Sequence, residues 1–80
     1  MDTFDIKVEH RGIIKTFRGT FGKYGYSYRF TINVEGVEVI FEPDEERNLR
    51  AIVPVASQND PTVKELVGLI GVELQKELLS

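Results

Sequence analysis

From Tyr26 to Glu42 the chain reads YSYRFTINVEGVEVIFE. Tyr26, Tyr28, Phe30, Ile32 and Val34 alternate with Ser27, Arg29, Thr31, Asn33 and Glu35. That period of two is the pattern of a strand with one apolar and one solvated face. The phase breaks at Glu35-Gly36 and resumes at Val37, Val39 and Phe41. Two such runs about a two-residue loop ending in Gly predict a β-hairpin. The turn sets Val34 opposite Val37, Ile32 opposite Val39 and Phe30 opposite Phe41, with Arg29 facing Glu42 on the solvent side. The apolar residues of both strands then share one face, which fixes the register.

The rest of the chain is read around this hairpin. Phe4, Ile6 and Val8 alternate with charged residues, giving a first strand over about 3–10. Arg11-Gly12 is a turn, Gly supplying a positive φ at low steric cost. A second strand over about 13–21 follows, with Ile13, Lys15, Phe17, Gly19 and Phe21 in one phase. The turn pairs Ile6 with Phe17 and Val8 with Lys15, and brings Asp5 opposite Arg18 on the outer face. Residues 22–25, bounded by Gly22 and Gly25, read as the next loop, which sets Phe21 opposite Tyr26 and Phe17 opposite Phe30. The central strands then cover about 26–35 and 37–42.

Pro43 and the charged run to Asn48, with Arg47 and Arg50 as basic partners, form an exposed connector. A short fifth strand over about 48–53 carries Leu49, Ala51 and Val53, and Pro54 ends it. Asp60-Pro61 is an N-cap followed by a proline suited to the first helical position. The helix over about 61–79 has an apolar stripe of Val63, Leu66, Val67, Ile70, Leu74 and Leu78. Gly71 borders that stripe and is read as permitting close approach to the sheet, and Gly68 has no evident role. The predicted architecture is α+β over a single domain, 1–80: a five-stranded antiparallel β-meander with one C-terminal α-helix packed across its apolar face.

Composition narrows the function. The chain has no Cys, so no disulfide and no thiolate metal site is formed. No apolar run reaches the roughly 20 residues needed to span a bilayer, and the N-terminal MDTFDIKVEH lacks the features of a signal peptide, so the expected location is cytoplasmic with no membrane partner. A net charge of −3 gives no global attraction to phosphate. Lys7, Arg18, Arg29 and Arg50 on the outer face are balanced by Asp5, Glu9, Glu38 and Glu42.

No catalytic, metal or cofactor residue is assigned. His10, the one histidine, falls at a turn and reads as an exposed residue, and the acidic run 44–46 lacks the spaced ligands of a calcium loop. The run GKYGYSYRF has some likeness to the base-stacking strand of RNA-recognition motifs. Aligned on its aromatic-Gly-aromatic element, however, the last aromatic position falls on Arg29. Tyr26, Tyr28 and Phe30 are therefore read as core, and Tyr24 as an exposed loop aromatic. On the back of the helix, Leu69, Val72 and Leu79 form a second apolar patch, which one sheet cannot cover and which points to self-association.

The expected function is a small non-catalytic domain that acts through protein–protein contacts with an unidentified partner, a homodimer among them. The first strand and the short fifth strand are the meander's exposed edges, where a second copy could also pair. The alternative is single-stranded nucleic-acid binding. A meander followed by one helix that pairs with a second copy is similar to the architecture of whirly-like single-strand binders. That resemblance implies contacts from Arg11, Lys15, Lys23, Tyr24 and Arg29, which join charge to a stacking ring. The acidic total weighs against it.

Overall fold

Five strands pair in chain order into one antiparallel sheet. They are β1 (Asp2–His10), β2 (Ile13–Tyr24), β3 (Ser27–Val34), β4 (Val37–Pro43) and β5 (Leu49–Ile52). A single 3-10 turn, Val55–Ser57, leads into helix α1, Pro61–Leu79. The computed structural model describes residues 2–46 and 48–79, without the side chains of Leu78 and Leu79. The predicted α+β meander with one C-terminal helix against its apolar face is the observed architecture.

Two hairpins have the predicted register. Ile6 faces Phe17 and Asp5 faces Arg18 across the first, and Phe30 faces Phe41 across the third. Both turns have two residues with positive φ, Arg11 at 54° and Gly12 at 80°, Glu35 at 53° and Gly36 at 84°. That is the turn whose twist matches paired strands. The second hairpin differs from the prediction. β2 continues to Tyr24 and turns at Gly25-Tyr26, so Phe21 faces Phe30 and Lys23 faces Tyr28. Gly25, with φ 63°, takes the position that needs a left-handed residue. Tyr26 is therefore a fully exposed turn residue and not core. The shift is by an even number of residues, so every other side chain keeps its face.

The sheet is curved. Four strand spacings of about 4.8 Å would hold the edges of a flat sheet nearly 20 Å apart, twice the width of a helix. Yet α1 packs against both edge strands, β1 and β5, as well as against β3 at the centre. The sheet thus wraps the helix. Leu66, Ile70 and Leu74 of α1 are buried in its hollow in one cluster with Ile32, Val34, Val39 and Phe41, and Val63 is buried near the start of the helix. Phe30 lies at one end of this core, flanked by Phe21 and Phe4 with ring centroids 5.2 and 5.8 Å away, where the sequence places Phe17. Ile13 and Ala51, expected in the core, are exposed, Ala51 on the edge strand β5 in an open groove beside Val67 and Gly71 of α1.

Two local devices hold the helix in place. Asp60 caps it, its Oδ1 accepting from the backbone N–H groups of Thr62 and Val63. Gln75 Oε1 accepts from the Leu49 N–H at 3.2 Å and ties the C-terminal half to β5. Asp44 Oδ1 accepts from the N–H groups of Glu46 and Asn48 and closes the β4–β5 connector. Arg50 pairs with Glu42 on β4, and Arg47 lies outside the described residues.

The glycines separate sharply in role. A Cβ at Gly19 would lie 2.4 Å from Ile32 Cδ1 and 3.0 Å from Phe4 Cζ, so the bare backbone there is what lets these two side chains close over β2. A Cβ at Gly71 would meet Phe41 at 3.6 Å, an ordinary contact, so close helix approach does not demand a glycine there. Gly68 faces open space. Gly19→Ala should destabilise by about 1–3 kcal/mol through overpacking, and Gly68→Ala should stabilise by up to about 1 kcal/mol through helix propensity. Denaturant midpoints that move in opposite directions confirm this. Phe41→Ala, which empties the centre of the core, should cost about 3–5 kcal/mol by the same measurement.

Candidate functional site

Chain order in the meander leaves one side of β1 without a neighbour. A two-residue turn closes on a hydrogen-bonded pair, so His10 and Ile13 are bonded partners. Bonding alternates along an antiparallel ladder. The even-numbered residues of β1 thus commit their backbone groups to β2. Thr3, Asp5, Lys7 and Glu9 direct their N–H and C=O groups to the free edge.

This edge lies in a cleft. Phe4, Asp5, Ile6 and Lys7 of β1 line one wall, Glu73, Leu74 and Glu77 of α1 the other, and Phe30 the apolar end. The helix runs antiparallel to β1, with Glu65 beside His10 and Leu74 beside the start of the strand. The opposite edge is built differently. β5 has four residues, Pro43 faces its first residue and Pro54 follows just beyond it, whereas β1 has nine residues and no proline. Short length and proline protect a sheet edge from further pairing. The chain protects β5 in this way and not β1.

One end of the cleft is fixed by a polar cluster. His10 Nε2 and Glu65 Oε2 are 2.6 Å apart, and Arg11 Nη2 lies 3.2 Å from Glu65 Oε1. His10 is buried, not an exposed turn residue. The signal that marks it is its phase, which is that of Phe4, Ile6 and Val8 on the inner face. An imidazole held by a carboxylate is half of a nucleophilic triad. This one is enclosed, with 8% of its side chain exposed, and serves to pin the end of β1 to α1. The hydrogen bond from His10, then that from Arg11, lowers the Glu65 carboxyl below its ordinary range. Among the described residues no cluster of His, Asp or Glu is placed to hold a metal ion.

The residues expected to contact nucleic acid are not brought together. Tyr24 ends β2 on the outer face, half exposed, and the Arg29 guanidinium stacks 4.7 Å from its ring centroid. Gly22 makes room for that ring, which a Cβ would meet at 3.2 Å. Arg29 also lies 3.6 Å from Glu42, whose other oxygen binds Arg50 at 2.7 Å. That bond raises the pKa of Arg50 further. Lys23 belongs to the inner phase of β2 at its exposed end. Lys15, on the inner face, pairs with Glu35 at 3.5 Å, and Arg11 pairs with Glu65 at the helix. Only Tyr24 and Arg29 form a common surface.

The helix patch is exposed where it is described, Leu69 at 36% and Val72 at 54%. The Leu79 side chain lies outside the described residues. Glu65, Leu69, Glu73 and Glu77 form one four-residue row along α1. Glu65 reaches His10, and Glu73 and Glu77 line the cleft, so Leu69 overlooks β1.

No family model, no curated protein and no solved structure matches the chain. Among the described residues no helix is long and apolar enough to cross a membrane.

The polar cluster has a pH signature. A carboxyl whose folded pKa is depressed contributes stability that is fully present above its unfolded pKa, about 4.3, and is lost as pH falls through the lower folded value. Comparing denaturant midpoints of the wild type and Glu65→Gln on descending pH should show a difference that shrinks as pH falls below about 4.3. A difference that grows on acidification contradicts the assignment.

Proposed function

We propose that this is a non-catalytic domain that works through protein contacts, by adding an extended strand to the free edge of β1. The observation that carries this reading is the cleft between β1 and α1. It sets the outward backbone groups of Asp5 and Lys7 beside an apolar wall of Phe4, Ile6, Phe30 and Leu74, and those of Thr3 and Glu9 continue the edge on either side. In strand addition, main-chain hydrogen bonds supply affinity and alternate side chains supply specificity. The arrangement fits that mode, with side chains of one phase meeting Leu74 and those of the other meeting Asp5 and Lys7.

A second reading, single-stranded nucleic-acid binding, keeps the support of Tyr24 stacked with Arg29 on the outer face. The separation of Arg11 and Lys15 from that pair favours the first.

Titration with a short capped peptide of alternating valine and lysine, followed by backbone amide shifts, distinguishes them. Strand addition predicts shifts at Thr3, Asp5, Lys7, Glu9 and Leu74. It also predicts their loss in Lys7→Pro, which removes an outward N–H without breaking a bond to β2. A labelled single strand that shifts Tyr24 and Arg29, and does so less at high salt, supports the second reading. Peptide binding unaffected by Lys7→Pro overturns the first.

A further inference from the structure

We infer that the strand received at β1 is β1 of a second copy of this chain, paired antiparallel about a two-fold axis at Ile6. This deepens the strand-addition reading and rests on it. The argument is charge complementarity along the edge itself. With Ile6 opposite Ile6 of the second copy, Asp5 faces Lys7, Lys7 faces Asp5, and Thr3 faces Glu9. Phe4 then faces Val8 on the inner side, so the apolar face continues across the junction. Outward backbone groups meet outward backbone groups, because the facing pairs on both strands are odd-numbered.

The neighbouring registers are worse. A slip by two residues one way sets Asp5 against Asp5, and the other way sets Lys7 against Lys7 and Asp5 against Glu9. Like charges directly opposite destabilise a strand pair. A slip by one residue turns apolar side chains outward. The sequence DTFDIKVEH therefore supports one self-pairing register and opposes its alternatives. The nine-residue length of β1, against the short proline-flanked β5, points to the same edge.

The flank of α1 fits this arrangement. A two-fold axis through β1 places both helices on the same side of the joined sheet, antiparallel, with Leu69 of each on the side facing the other. Two carboxylates on that flank have basic partners in their own chain, Glu65 with Arg11 and Glu73 with Lys76 at 3.3 Å. The exposed Leu69 then faces a shared interface and not solvent, whereas Val72 lies on the β5 side of the helix and stays outside it.

The test uses charge reversal and mixing. Wild type should sediment as a monomer–dimer system. Lys7→Asp alone and Asp5→Lys alone should each weaken the dimer about tenfold or more, since both symmetric pairs become repulsive. An equimolar mixture of the two variants should restore dimer, because each reversal then meets its opposite. A wild type that stays monomeric at high concentration overturns the second-copy inference. If it still takes up the alternating peptide at β1, strand addition stands; if it takes up none, both fall. A wild-type dimer that neither reversal weakens, or a mixture that remains monomeric, overturns the Ile6 register. Far-ultraviolet dichroism checks that each variant is folded; both positions are exposed on the outer face.

Discussion

The structure depends on α1 filling the hollow of the curved sheet. Leu66 and Ile70 are inaccessible to solvent, as are Ile32, Val34 and Val39 facing them, and Phe41 is nearly so. That contact forms the centre of the hydrophobic core. The other features follow from it. The sheet must coil to meet the helix on both sides, Gly19 must lack a side chain so that Phe4 and Ile32 can close over β2, and Asp60 and Gln75 set where the helix begins and where it meets β5.

Covering the inner face leaves backbone pairing unfinished at the edges. The chain resolves this differently on its two sides. β5 is short and bounded by proline, which leaves little ladder to extend. β1 is long and regular, and lies beside a helix flank that carries exposed Leu69. Its outward charges discourage random pairing while permitting one self-complementary register. A mixed-charge edge is thus both a safeguard against aggregation and a specificity element.

Much of the fold was legible because side-chain alternation reports faces directly. The first and third hairpins were legible to the residue, since Arg11-Gly12 and Glu35-Gly36 leave only two positions for a turn. The second was misread because Gly22 resembles a loop residue. In the structure it is a strand glycine that makes room for the Tyr24 ring, and the apolar phase of Tyr26 is coincidental with its place in the turn. His10 shared the inner phase, but its turn position and its distant partner Glu65 obscured this. Leu69 and Val72 were legible as an unpartnered patch. That Leu69 looks toward β1 and Val72 toward β5 required the direction of the helix across the sheet, which no local pattern encodes. The free backbone groups of β1 were hidden for a simpler reason: side-chain patterning says which face a residue takes, and not which way its N–H points.

The central claim is that β1 presents alternate backbone groups which a second copy completes. Residue-resolved amide hydrogen exchange, measured in dilute and in concentrated protein, tests this most directly. The account predicts that the amides of Phe4, Ile6 and Val8 exchange slowly at both concentrations. Those of Asp5, Lys7 and Glu9 should exchange fast when dilute and become protected when concentrated. Asp5 and Lys7 amides that stay fast while the protein dimerises, or exchange along β1 with no alternation at all, would contradict it.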